Sequence, residues 1–331
     1  MVNKMKDKDF LFLTAMLRAR ETGMINTEKI DRMLDATGFD DAAKVLIDCG
    51  YPDVSGMSMS QIDEVLERRR SEVFYEIANF GYAKDILDLF RLKYDYHNVK
   101  VLVKSSGVNT DASYLLSGSG RIGVKELSEA YVTGQRGDLP PPVADVMGSA
   151  AGILSRTGNP QLADIEIDKA YFGELSSIAD RLKNTFISSY VRLLIDSANL
   201  RTTVRLSRTG RDRDFLQTAL IPGGNVIAEN IVSAFDDNVT APFSGDALAQ
   251  AVHLGADAMK GGTQTLFELA CDNAVLHQVT DTMFISFGSA PVIAYLAKLE
   301  WEITIVRMIL TGKYTGISKD IIRERLRDCH V

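Results

Sequence analysis

The sequence predicts an all-α protein made of three similar helical units. Three observations carry that expectation. Only 8 of the 331 residues are proline, about half the ordinary share. Long segments repeat apolar residues at helical spacing, while few runs alternate with period two between turn residues. The chain also matches itself: one nine-residue frame occurs three times at intervals of roughly 100 residues, the signature of a repeat architecture.

Near the N-terminus, Asn26 is placed to cap a helix carrying Ile30, Met33 and Leu34 on one face, with Gly38 as its stop. Ala42, Val45 and Leu46 continue the pattern until Gly50, Tyr51 and Pro52 end it. Ser58 and Gln61 have the spacing of a capping box. The helix they open sets Ile62, Val65, Leu66, Val73, Ile77 and Phe80 along one stripe. The segment from Ala219 to Gly224 is too short for a strand.

The repeated frame is L-x-x-[DE]-x-x-[NI]-[VL]-[KR]. It reads Leu92, Asp95, Asn98, Val99, Lys100, then Leu193, Asp196, Asn199, Leu200, Arg201, then Leu299, Glu302, Ile305, Val306, Arg307. The acids at 95, 196 and 302 are thus 101 and 106 residues apart. Asp63, Asp168 and Asp272 are expected to open a helix about 30 residues ahead of each acid. Downstream, Tyr114-Leu115 leads to Gly118, Gly120 and Ile122, and Phe215-Leu216 leads to Gly223, Gly224 and Val226, with a helix after each. The third copy is short after Gly316, ending in a helix from Lys319 to Arg327. The units divide as residues 1–110, 111–213 and 214–331. Three such units suit a pseudo-threefold body or a short solenoid.

On a helix, Leu92, Asp95, Val99 and Leu102 share one face. Each acid therefore lies on an apolar stripe, where an unpaired charge would be costly. Lys100, Arg201 and Arg307 follow five residues later, about 140° round the helix, so they should reach another helix rather than their own acid. Asp95, Asn98, Lys100, Asp196, Asn199, Arg201, Glu302 and Arg307 are accordingly candidate structural anchors or partner contacts.

The charge balance, 37 basic against 44 acidic residues for a net of −7, argues against a nucleic-acid binder. Cys49, Cys271 and Cys329 form no CxxC pair and fit a reducing cytoplasm. His97, His253, His277 and His330 match no zinc spacing. The apolar run Phe10–Leu17 meets Arg18 and Arg20 instead of a small-residue cleavage site, so it is not read as a signal peptide. Phe284–Ala297 is broken by Ser, Gly and Pro and is not a membrane span.

Enzyme motifs are weak. Gly118, Gly120 and Gly123 match GxGxxG, but the fingerprint needs a preceding strand in a βαβ unit. Asp236-Asp237 and Asp40-Asp41 resemble the aspartate-rich metal motif of all-α isoprenoid synthases. Thr240 and Lys44 replace its third carboxylate, and Asp40 suits a helix N-terminus instead. There is no Walker A loop and no G-x-S-x-G elbow. No catalytic residue, cofactor or metal is expected, and Trp301 reads as core.

The order of these elements resembles a known family. Ala15–Glu21 leading into Met33-Leu34 and Val45-Leu46, the two D-x-x-N-[hydrophobic]-[KR] elements, and Pro291–Tyr295 followed by Glu302, Arg307, Gly312 and Lys313 are similar to the C subunits of bacterial and archaeal V/A-type ATPases (ATP synthases), whose eukaryotic counterpart is the V-ATPase d subunit. The likeness runs from about residue 10 to the end. Ile305 departs from it, standing where Asn is expected.

The resemblance implies three similar domains in a pseudo-threefold, funnel-shaped arrangement. It implies a non-catalytic rotor component, cytoplasmic and peripheral to the cell membrane. Its partners would be the central-stalk subunits and the membrane proteolipid ring, between which it would transmit torque for ion transport. The contrasting reading is a free-standing all-α repeat scaffold for soluble proteins; a third is an all-α enzyme.

Overall fold

The computed structural model describes residues 7–108 and 110–326. Arg327, Cys329 and His330 lie outside them. All regular structure among the described residues is helical. In chain order the helices are α1 (Leu11–Glu21), α2 (Thr27–Asp35), α3 (Phe39–Val45), α4 (Met59–Ala78), α5 (Lys84–Val108), α6 (Val124–Thr133), α7 (Pro141–Thr157), α8 (Pro160–Leu182), α9 (Thr185–Arg208), α10 (Arg213–Ala219), α11 (Ala228–Ser233), α12 (Ala249–Met259), α13 (Gln264–Thr280), α14 (Ser289–Tyr314) and α15 (Lys319–Arg325).

The boundaries follow from local chemistry. The Asn26 side chain accepts the Lys29 N–H and starts α2. Ser58 and Gln61 form both hydrogen bonds of a capping box at α4, satisfying donors the helix cannot. Gly50, in the left-handed region, ends the turn after α3. Gly38 differs from expectation. The α2 helix stops at Asp35, and Gly38 is the extended residue before α3. Asp40 and Asp41 fall in the first turn of α3, where the helix dipole favours them. Phe80 lies beyond the end of α4, and the stripe from Ile62 to Ile77 is what the helix buries.

The chain forms two compact units. One runs from Leu87 to Pro242; the other combines residues up to Ile86 with those from Phe243 onward. In the contiguous unit, α8 packs on α7 and α9, and α10 packs on α9 and α11. Pro141 and Pro160 open α7 and α8, where the missing N–H loses no bond.

In the discontinuous unit, α14 is the central helix. It packs against α1, α3, α4, α13 and α15. Ser289 to Leu296 are all buried in sequence, so α14 has no solvent face in that stretch, as befits a core helix. Trp301 is buried on it, as expected.

Candidate functional site: buried carboxylates that hold loops

Asp95, on α5, has no exposed surface. Its Oδ1 accepts the backbone N–H of Arg121 at 2.8 Å and of Ile122 at 3.1 Å. Its Oδ2 accepts Arg121 Nε at 2.6 Å. Arg121 Nη1 donates to Glu174 of α8 at 2.7 Å, and Glu174 also accepts the Tyr96 hydroxyl at 2.9 Å. One turn along α5, Asn98 donates to Ser117 O and accepts from Ser117 N, both at 2.8 Å. Arg91 donates to Gly120 O through Nε and Nη2. The loop 117–122 is thus tied to α5 at both ends. A Cβ on Gly120 would collide with Asp95 Oδ1, so the approach requires glycine.

Burial raises the Asp95 carboxyl above the usual carboxylate range, and Arg121 opposes that shift. Burial also raises Tyr96, reinforced by Glu174. Burial alone would lower Arg121, but hydrogen bonds to Glu174 and Asp95 raise it further. The group is a compensated buried network, in which each charge depends on the others.

Asp196, on α9, repeats the arrangement. Its Oδ2 accepts Asn225 N at 3.0 Å, and its Oδ1 accepts Val226 N at 3.1 Å. The Asn225 amide donates to Oδ2 at 2.9 Å, where Arg121 serves Asp95. Asn199 donates to Ile221 O at 2.8 Å and accepts Ile221 N at 2.9 Å. Gly224 has the same constraint, since a Cβ there would strike Asp196 Oδ1.

Glu302, on α14, is also fully buried. Its Oε1 accepts the Tyr51 hydroxyl at 2.7 Å and its Oε2 accepts Ile25 N at 2.7 Å. The Arg69 guanidinium lies over the Tyr51 ring, 5.4 Å from its centroid. Burial raises the Glu302 carboxyl against the pull of Tyr51 and Ile25. Burial, with Glu302 alongside, pushes Tyr51 well above its ordinary value.

The bases meet other groups than their own acids. Lys100 pairs with Asp168 of α8 at 2.6 Å. Arg307 holds Asp63 of α4 with Nε and Nη2, each at 2.8 Å. The Arg201 Nη1 contact differs from expectation: it donates to Ser197 Oγ on its own helix, one turn away, at 3.2 Å. Asp63 lies in the first turns of α4, whereas Asp168 and Asp272 lie well inside α8 and α13. The expectation that all three open helices is corrected there: Pro160 with its Asn159 cap starts α8 instead, and α13 begins at Gln264.

These carboxylates accept hydrogen bonds from the chain's own backbone and side chains. The N–H groups of Arg121 and Ile122, which a dinucleotide loop would aim at phosphate, are directed at Asp95. Among the described residues, no three His, Cys, Asp or Glu side chains converge as a metal set, and no helix is long and apolar enough to cross a membrane. Sequence reasoning missed Arg121, Asn225, Tyr51 and Ile25 as partners of the acids, and Glu174 and Tyr96 as the groups beyond Arg121. Arg121 and Asn225 each directly follow the second loop glycine, a shared position that points to them. Nothing in the sequence marks Tyr51 or Glu174.

The profile of the ATP synthase (C/AC39) subunit family matches residues 13–325. The C subunit of the V-type sodium ATPase of Enterococcus hirae is 22% identical over 328 residues, spanning 96% of this chain and 98% of its own. The C subunit of the V-type ATP synthase of Thermus thermophilus is 21% identical over 333 residues, with the same coverage of 96% and 98%. The C subunit of the A-type ATP synthase of Methanocaldococcus jannaschii is 21% identical over 345 residues, spanning 96% of this chain and 86% of its own. A helical chain whose repeated acids accept from its own loops, matched over nearly its whole length in this way, belongs to the ATP synthase (C/AC39) subunit family and is a non-catalytic subunit of a rotary ATPase complex.

Proposed function

We propose that this chain is the rotor component that links the central stalk to the membrane proteolipid ring and transmits torque between them. The observation that carries this reading is the match over nearly the whole chain to the C subunits of V- and A-type rotary ATPases. A torque coupler needs stiffness. Here loops that would otherwise move are fastened to long helices through buried, charge-assisted or bidentate hydrogen bonds, and such networks rigidify a core. Three similar domains about a pseudo-threefold axis, and a cytoplasmic, membrane-peripheral position held through the ring, belong to the same proposal. Asp95, Asn98, Asp196, Asn199 and Glu302 act as internal anchors, whereas Lys100 and Arg307 brace neighbouring helices and Arg201, which meets Ser197 on its own helix, is a partner contact.

The test mixes this protein with purified central-stalk subunits and detergent-solubilised proteolipid ring. A stoichiometric complex in which the chain bridges both is the expected result. Binding to neither, with correctly folded components, would remove the coupler role and leave a scaffold for soluble proteins.

A further inference from the structure

Glu302 differs from Asp95 and Asp196 in where its backbone donor comes from: theirs follow the acid in sequence, and its own precedes it. Its backbone donor is Ile25, which stands near the other end of the sequence. We infer that residues 23–35 are the loop and helix of the third copy, so that the repeat closes across the two ends of the discontinuous unit, with Glu302 as the latch.

The register supports this residue by residue. In the first copy Gly120 is followed by Arg121, Ile122, the boundary residue Gly123 and then α6 at Val124. In the second, Gly224 is followed by Asn225, Val226, the boundary residue Ile227 and then α11 at Ala228. At the N-terminus Gly23 is followed by Met24, Ile25, the cap Asn26 and then α2 at Thr27. Each time the apolar residue two places after glycine gives its N–H to the buried acid: Ile122 to Asp95, Val226 to Asp196 and Ile25 to Glu302.

The two departures of the third copy have physical causes. Glutamate is one methylene longer than aspartate, so its loop can stand further from the helix. A Cβ on Gly23 would meet nothing nearer than Arg20 O at 3.5 Å, unlike one on Gly120 or Gly224. Ile305 replaces Asn98 and Asn199 because the residue they would serve needs no side chain. Those amides satisfy Ser117 and Ile221, each three residues before its glycine. The corresponding residue is Arg20, inside the last turn of α1, and its carbonyl already accepts Gly23 N at 3.0 Å. An amide at 305 would have no backbone to meet, and Ile305 is fully buried.

Hydrogen exchange on the full chain, read by mass spectrometry, tests the latch. E302Q replaces the carboxyl acceptor with a neutral amide: the Ile25 N–H keeps at best a weaker acceptor, and the Tyr51 hydroxyl must turn to accept from the new N–H. It should speed exchange in the 23–35 segment roughly five- to tenfold, the worth of about one hydrogen bond, and leave 117–133 at the wild-type rate. D95N should do the reverse. Unchanged exchange at 23–35 in E302Q, or equal acceleration in both segments, overturns the inference. Should E302Q not fold, thermal melts supply a second reading. G23A should melt with the wild type while G120A melts lower, and an equal fall in both overturns the longer-arm geometry on which the third copy rests.

Discussion

Asp95 and Asp196 hold the same kind of loop in different electrostatic surroundings. Both accept two successive backbone N–H groups at 2.8 to 3.1 Å, and both exclude a Cβ from the neighbouring glycine. The remaining interaction differs: a guanidinium shared with Glu174 in one case, a neutral Asn225 amide in the other. The carboxylate is therefore repeated for its ability to accept from backbone, and the charge is settled locally.

The largest expected effect breaks the comparison outright. D95A strands two backbone donors and leaves Arg121 with Glu174 alone, so it should destabilise by about 3–5 kcal/mol, as removal of one member of a buried network does. D196A strands similar backbone donors without a buried cation, and about 1–3 kcal/mol is expected. The asparagine variants sharpen the contrast. D95N should lose much of the same stability, because its new amide faces Arg121, whereas D196N should lose less, because its amide faces a single backbone N–H, that of Asn225 or Val226, where the side-chain partner is the neutral Asn225 amide. Urea denaturation of the four variants decides this; equal losses for D95N and D196N would mean that Arg121 is not the difference.

Smaller and more uniform effects should come from the glycines. G120A and G224A should each destabilise by about 1–3 kcal/mol through overpacking, and by similar amounts, since the steric constraint is common to both copies. A thermal melt showing one of them neutral would mean that its loop can lift from the helix.

Glu302 extends the comparison to pH. Its carboxyl is raised in the folded state, so the folded protein holds this proton at pH values where the unfolded chain has released it. The stabilisation linked to that proton is full below the ordinary glutamate value of about 4.3 and is lost as pH rises through the higher folded value. Relative to E302Q, which cannot titrate, the wild type should become less stable as pH rises across that window. Paired urea titrations between about pH 4 and 8 check this, and a gap independent of pH would refute it.

The smallest effect belongs to the outer pairs. Lys100 and Asp168 are partly exposed, at 28% and 43%, so K100A should destabilise by at most about 1 kcal/mol. A larger loss in denaturation would mark the pair as part of the anchor instead of a brace upon it.

Much of this is legible in the sequence. The acids stand out because a charge on an apolar helical stripe needs a partner, and Asn26, Ser58 and Gln61 announce their helix starts through capping chemistry. Their partners are harder to find. Arg121 is 26 residues from Asp95, and Ile25 is 277 from Glu302, so no helical periodicity connects them. Gly120 and Gly224 read only as turn residues, because their constraint comes from a carboxylate oxygen and not from backbone dihedrals. Asp168 reads as a helix opener because an acid near an apolar run resembles an N-terminal signal, even where a proline starts the helix earlier.

The discontinuity of one unit also bears on how the chain is made. The segment Leu87–Pro242 is contiguous and can gather its helices as it leaves the ribosome. Helices α1, α3 and α4, by contrast, pack on α14, which is translated long after α4 is complete. At about 5–20 residues per second, the roughly 200 intervening residues take roughly ten to forty seconds. For that time the apolar stripe of α4, from Ile62 to Ile77, has no α14 to cover it. The earliest part of this protein to be synthesised is thus among the last to be finished, and the demand on chaperones falls on its first eighty or so residues.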